Sequence, residues 1–300
     1  MALLAAACGP AEGAGDARSA EGADVLAGYD LSRAVASFEL PRALREVSSI
    51  AAVAPGLLAC VQDEKGALYY FDLALGDVVR RDKFAKKGDY EGLAFDGEAF
   101  FALRSDGRVL RIEPKDGELD DDEPPDDENF HVVDRGELDT EQRDLEGLAF
   151  DPVTGALLVA PKTRPDGKRR KDLRPLYRVS RATLERDARP FVVLDLDRVR
   201  EAAERAGASR KQLRHRLKLR FAEIAVHPAT GDLWLLSGVD RLVLVAARDG
   251  AIRGLHFFDK DEQPQPEALA FLSDGRLAIA SEGRDGPAVL RLYDAAARPR

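Results

Sequence analysis

The stretch EGLAF stands at Glu91–Phe95 and again at Glu146–Phe150, and a near copy, EALAF, follows at Glu267–Phe271. Five apolar-rich residues could be a strand that happens to recur or one part of a larger repeated unit. The residues after each copy decide between the two. Tyr90–Pro114 reads YEGLAFDGEAFFALRSDGRVLRIEP: a short apolar strand, Asp96-Gly97, a second strand, Asp106-Gly107, and a third strand. Asp-Gly between alternating apolar runs is a strong local hairpin signal. LEGLAFDPVTGALLVAPK, FAEIAVHPATGDLWLLSG and PEALAFLSDGRLAIASEG follow the same order, and VSSIAAVAPGLLACVQDEKGALYYFDL precedes them.

Aligned on the first strand, the units begin near Ser48, Glu91, Glu146, Ala222 and Glu267. Internal repetition on this scale points to a propeller; a two-layer sandwich is the structural rival, but it does not predict repeated units of this period. Each unit supplies four strands except the last, which supplies three. RAVASFELP (Arg33–Pro41) alternates in the manner of a strand and lies before the first unit. Placed in the last sheet, it closes the ring and removes an open edge. The expected fold is therefore all-β: a β-propeller of five four-stranded blades closed by an N-terminal strand. One domain spans 29–300, with an acidic insertion at 113–128 (Glu113–Glu128) and a basic helical one at 198–220 (Arg198–Arg220).

Of 300 residues 45% are hydrophobic, enough for a sizeable core, and the net charge of −9 argues against nucleic acid or an anionic membrane as a general partner. Two cysteines allow no disulfide framework. Cys60 lies in the apolar run LLACV. Cys8 follows LLAAA and precedes a Gly/Ala/Glu/Asp-rich stretch. That pattern resembles the lipobox of a bacterial lipoprotein, although no basic region precedes it and the apolar run is short. Lipidation at Cys8 would leave 1–28 as signal remnant and flexible tether. The expected location is the cell envelope, facing the periplasm, with the membrane met only through the lipid.

Innermost propeller strands converge on the axis, so residues that lead each copy should meet there. That column holds Glu91, Glu146 and Glu267, with Ala222 in the fourth unit, Glu223 beside it, and Ser48 in the first. Carboxylates brought together need a cation, donors or protons. Oxygen ligands without His or Cys suit Ca²⁺ or Mg²⁺; acceptance of backbone N–H groups at blade junctions is the alternative. A second column, at the ends of the second strands, holds Asp63, Arg104, Lys162, Ser237 and Glu282. Two cations among carboxylates suit a small anionic or zwitterionic ligand, or they simply neutralise the glutamates. The four histidines are scattered, and nothing marks a nucleophile, a phosphate loop or a dinucleotide site.

The stretches REVSSIA, VQDEKGALYYFDL, DYEGLAFDG, LRSDGRVLRI, DLEGLAFDPVTGALLVAPK, FAEIAVHPATGDLWLLSG and PEALAF, taken in order, resemble the SdiA-regulated family of bacterial propellers. The resemblance covers most of Arg45–Asp294. It implies envelope association and a calcium ion, and it carries no firm activity. The family borders on phytase-like and gluconolactonase-like propellers. In the latter a glutamate of an EG motif on an innermost strand binds metal, which carries over to Glu91, Glu146 and, by its EA variant, Glu267. Ala222 departs from the pattern. The expected function is capture of a small anionic molecule or an envelope protein at the channel mouth by a monomer, with Ca²⁺. A metal-dependent phosphoesterase or lactonase is the alternative.

Overall fold

The computed structural model describes residues 25–114, 130–138, 144–162, 172–209, 217–284 and 286–295. Five four-stranded antiparallel sheets follow one another along the chain. Their innermost strands are Val47–Ala54, Tyr90–Phe95, Leu145–Asp151, Glu223–Val226 and Pro266–Phe271. The first four blades each use four consecutive strands. In the fifth, Ala36–Glu39 pairs with Val289–Tyr293, setting Phe38 opposite Leu290 and Ala36 opposite Leu292. The expected closing strand is thus in place, and the ring has no open sheet edge at its seam.

Packing explains the repeated sequence. The inner strands of each blade are buried on both faces, because neighbouring sheets stack on either side, while the outermost strands are largely exposed. Leu233–Ser237 and Leu242–Ala246 are buried along their whole length, which accounts for the near-continuous apolar runs LWLLS and LVLVA. Core clusters form between blades: Ile50, Leu58 and Phe71 pack with Ala278, Leu290 and Leu292 across the closing seam. Polar clasps repeat on the outer side. Asp151 accepts from Arg248 Nη1 at 3.1 Å and Nη2 at 2.6 Å, joining blades three and four, and Asp96 accepts from Arg181 at 2.6 Å between blades two and three.

Two segments differ from the sequence expectation. Residues 1–28 read as tether, yet Val25–Leu26 pairs with Tyr29–Asp30 in a small hairpin. Tyr29 packs edge-on against Trp234 at 5.3 Å and donates to the Gly275 carbonyl at 2.8 Å, so the hairpin is docked on blades four and five. Alternation too brief to register in the sequence is compensated by these tertiary contacts. Cys8 and residues 115–128 of the acidic insertion lie outside the described residues. In the basic insertion, Leu196–Arg205 is a helix capped by Asp195, whose side chain accepts from Asp197 N at 2.9 Å. Its buried face (Leu196, Val199, Ala203) packs with Leu217, Leu219 and Phe221. The segment is therefore built into the core between blades three and four rather than laid over the surface. Residues 210–216 of the segment expected to be helical fall outside the described residues; Leu217–Arg220 has no regular secondary structure.

Candidate functional site

The leading glutamates sit on β-bulges. Strand register slips between Tyr90 and Gly92, between Leu145 and Gly147, and between Pro266 and Ala268, leaving Glu91, Glu146 and Glu267 each as the extra residue; Ser48 is the counterpart in blade one. A bulge residue escapes strict alternation, so its side chain can be re-aimed. Here that places the column around the axis. The glycines that follow allow neighbouring strands to close in. A Cβ on Gly92 would lie 2.6 Å from the Glu146 carbonyl oxygen, and one on Gly147 would lie 2.9 Å from Ile224 N.

These carboxylates line an axial pocket of about 130 Å³ together with Glu46, Asp63, Lys162, Gln265 and Glu282. Lys162 ion-pairs with Glu146, whose side chain is 3% exposed against 33% for the lysine. Burial works against the Lys162 ammonium, but Glu146 outweighs it and holds the lysine above its ordinary value. Burial pushes Glu146 upward while Lys162 pulls it back. Burial, reinforced by Asp89, lifts Glu91 to about 8; burial lifts Glu267 to about 7, against the opposing hydrogen bond from Gln265. Asp63 rises to about 6, through burial and then the charge of Glu46. The pocket thus holds more carboxyl groups than its single ammonium neutralises.

Glu223 lies outside this pocket. It is fully buried, accepts from Leu148 N at 3.2 Å and Ile224 N at 3.0 Å, and receives the Ser49 hydroxyl; Ser49 Oγ in turn accepts from Leu93 N at 2.9 Å. Ser49 and Glu223 belong to blades one and four, which are not neighbours, so the bond crosses the axis. The knot ties four innermost strands together and floors the pocket. Burial holds the Glu223 carboxyl well above its usual range. Beyond it the channel opens at the other end into an apolar funnel lined by residues such as Ala94, Phe150 and Ala270.

Of the second column, Asp63, Lys162 and Glu282 reach the pocket. Arg104 does not line it. It pairs with Asp106 at 3.0 Å, with its guanidinium 6.0 Å from the centre of the Tyr90 ring. Among the described residues no group of three or more His, Cys, Asp or Glu side chains is arranged to hold a metal ion.

Sequence reasoning missed the neighbouring cavity. About 450 Å³ in volume, it shares Glu146, Lys162, Ala222, Gln265 and Glu267 with the axial pocket and adds Lys218, Arg220, Arg241 and Arg284. Its cations come from three separate loops. The alternation in LKLRF, with Leu217, Leu219 and Phe221 buried and Lys218 and Arg220 between them, is the one local signal that pointed there.

No protein-family profile matches this chain, and no curated protein matches it in sequence. Among solved structures it is similar to a glutaminyl cyclase from Myxococcus xanthus, with a TM-score of 0.56 and 11% identity over 88% of this chain and 97% of that one. It also aligns with a streptogramin B lyase at a TM-score of 0.42 and 13% identity, covering 86% of this chain and 68% of that one. The likeness is one of fold alone. The chain is a five-bladed propeller whose site must be read from its own residues.

Proposed function

We propose that this propeller captures a small anionic ligand at the mouth of its channel, and that it does so in the bacterial cell envelope, held by lipid on Cys8. The observation that carries the reading is the basic cavity of Lys218, Arg220, Arg241 and Arg284 opening directly onto the axial pocket. Guanidinium groups converging on a concave, partly desolvated space are suited to phosphate or carboxylate through charge-assisted hydrogen bonds. The resemblance to the SdiA-regulated family supports the envelope setting. Among the described residues no helix is long and apolar enough to cross a membrane, so any membrane attachment in this reading comes from the lipid. A protein partner carrying an acidic group at the rim would use the same cations.

The donors suit calcium: Glu91, Glu146 and Glu267 offer hard oxygen ligands. They are not gathered into a metal-holding group among the described residues, so they would hold the ion only by closing on it and releasing Lys162 from Glu146, while Glu223 stays in the knot below. Bound there, Ca²⁺ would supply positive charge against which an anionic group is polarised. Melting in calcium and in chelator tests this, because identical melts together with no calcium retained on dialysis would remove the ion from the reading.

Titration calorimetry with inorganic phosphate and acetate tests the ligand. Binding of either, lost in the Arg241→Ala/Arg284→Ala double variant, is the expected result; no binding of either anion would refute it. Fractionation of Cys8→Ser tests the anchor, which fails if partitioning does not change.

One observation favours hydrolysis as a second reading. Burial lifts the Glu91 carboxyl to about 8, which favours its protonated form at neutral pH while the site is empty, and Glu91 lines the axial pocket that adjoins the basic cavity. A positioned acid of that kind could protonate a leaving oxygen. Turnover of phosphomonoesters or lactones that disappears in Glu91→Gln would support this reading, and an inert panel would end it.

A further inference from the structure

The mouth carries two opposite charge fields side by side. In the axial pocket, Glu91 and Glu267 have no ion-pair partner within salt-bridge distance among the described residues, and the ammonium present is committed to Glu146. In the outer cavity the balance reverses. The two spaces share the wall formed by Glu146, Lys162 and Glu267, so one ligand can occupy both.

The basic side is built, not incidental. Leu219 and Arg241 both hold φ of 47°, a left-handed conformation that residues with a Cβ rarely adopt. Such strain persists only where the surroundings over-determine it, and it clusters at functional positions. Here the surroundings do so. The buried guanidinium of Arg174 donates to the Leu219 carbonyl at 2.8 Å and to the Lys218 carbonyl. Asp240 accepts from Lys218 N at 3.1 Å and Leu219 N at 2.8 Å, and is itself held by Ser237 Oγ at 2.7 Å. The backbone groups are satisfied internally, which leaves Lys218 and Arg220 to line the cavity. Arg241 Nε is buried there with no hydrogen-bond partner.

We infer that the ligand of this mouth is dipolar, with a primary ammonium seated between Glu91 and Glu267 in the axial pocket and a phosphate or carboxylate held by Arg220, Arg241 and Arg284. This rests on the anion-binding reading above and names the chemical class that reading left open. The pocket already accommodates an ammonium, that of Lys162 on Glu146. At about 130 Å³ it has room for an alkylammonium, since a water needs only about 10–15 Å³ of such volume. A simple anion would fill the outer cavity and leave the carboxyl groups of the inner one uncompensated.

Calorimetry on the full chain with O-phosphoethanolamine and with ethyl phosphate separates the two. The amine-bearing probe should bind about tenfold more tightly, the scale of one added charge-assisted contact. In Glu91→Gln/Glu267→Gln that preference should vanish while ethyl phosphate still binds, which also shows that the variant is folded. In Arg241→Ala/Arg284→Ala both probes should weaken. Equal affinity in the native chain, or a preference that survives the glutamine substitutions, overturns the dipolar assignment and leaves the anion site standing. Failure of both probes to bind overturns the two together. Competition by phosphatidylethanolamine vesicles, but not by phosphatidylglycerol vesicles, would assign the source to a lipid headgroup; competition by neither would assign it to a free solute.

Discussion

Replacing Lys162 with methionine keeps most of the side-chain volume and removes one charge, so its cost isolates the ion pair with Glu146. Breaking a buried pair costs about 3–5 kcal/mol when the surviving charge remains ionised and unpaired. Glu146 is 3% exposed and meets that condition, but Lys162 is a third open to water, which places the cost near the lower bound. Glu146 also has an escape, because it can take a proton; the loss then shrinks to about 1 kcal/mol, the worth of an ordinary hydrogen bond. The sign follows from linkage. Burial already holds native Glu146 at about 9, far above its unfolded value of about 4.3, and without Lys162 the folded-state pKa lies higher still. Both chains lose stability as pH rises from the unfolded value, and the variant goes on losing it above about pH 9, by up to about 1.4 kcal/mol per unit. In the native chain Lys162 is held above its ordinary value, so its own contribution is lost only at more alkaline pH. Glu91 and Glu267, which Lys162 also holds down, shift further in the same direction when it is gone. Urea unfolding followed by the fluorescence of the buried Trp234 should therefore show a deficit of about 1 kcal/mol at acidic pH near 5.5 and a larger one, rising towards about 3 kcal/mol, near pH 10. A deficit that is the same at both pH values, or smaller at the higher one, would refute the reasoning.

Three further variants probe the surrounding framework. Glu223→Gln should cost about 1 kcal/mol or less, since burial already disfavours the charged carboxylate and the amide oxygen can still accept from Leu148 N and Ile224 N, whereas Glu223→Ala strands Leu148 N, Ile224 N and the Ser49 hydroxyl and should cost roughly 3–5 kcal/mol; equal urea midpoints for the two would refute this reading of the knot. Arg241→Gly should raise stability by roughly 0.5 kcal/mol by relieving the φ of 47°, while phosphate binding falls. A variant that loses stability and keeps binding would contradict both halves. Asp151→Ala removes a fully buried acceptor of two guanidinium bonds and should cost about 3 kcal/mol by loosening the seam between blades three and four. A melt within a degree or two of the native protein would count against that clasp.

The fold was legible because its physics is repetitive. Each blade must bury two faces, so each writes the same order of apolar strands and tight turns, and the strand missing from the fifth blade stood conspicuously at Arg33–Pro41. The site was legible by halves. Alignment brought Glu91, Glu146 and Glu267 to one place because position within a blade sets distance from the axis. It misplaced emphasis on Arg104, whose side chain turns to Asp106 and Tyr90. Equivalent positions at a strand end share a backbone location, but rotamers and local partners choose where a long side chain goes. The basic cavity was invisible for the opposite reason. Lys218, Arg220, Arg241 and Arg284 occupy no common position in the repeat, and only the packing of Leu217, Leu219 and Phe221 brings the first two to the mouth.

The bulges explain why a carboxylate can lead an otherwise apolar strand at all. In a regular ladder, a glutamate one residue before EGLAF's glycine would alternate into a neighbouring sheet and be left without water. The extra residue at Glu91, Glu146 and Glu267 breaks the alternation at the strand's first step, so each side chain leaves the sheet stack for the axis. In blade four the leading position belongs to Ala222, which lines the pocket, and Glu223 follows it, pairing with Leu236 as Gly92 pairs with Leu103. Its carboxyl therefore enters the channel one level lower, where it meets Ser49 and not the pocket. One step along the strand thus divides four similar glutamates into two kinds: three that face the ligand space and one that closes its floor.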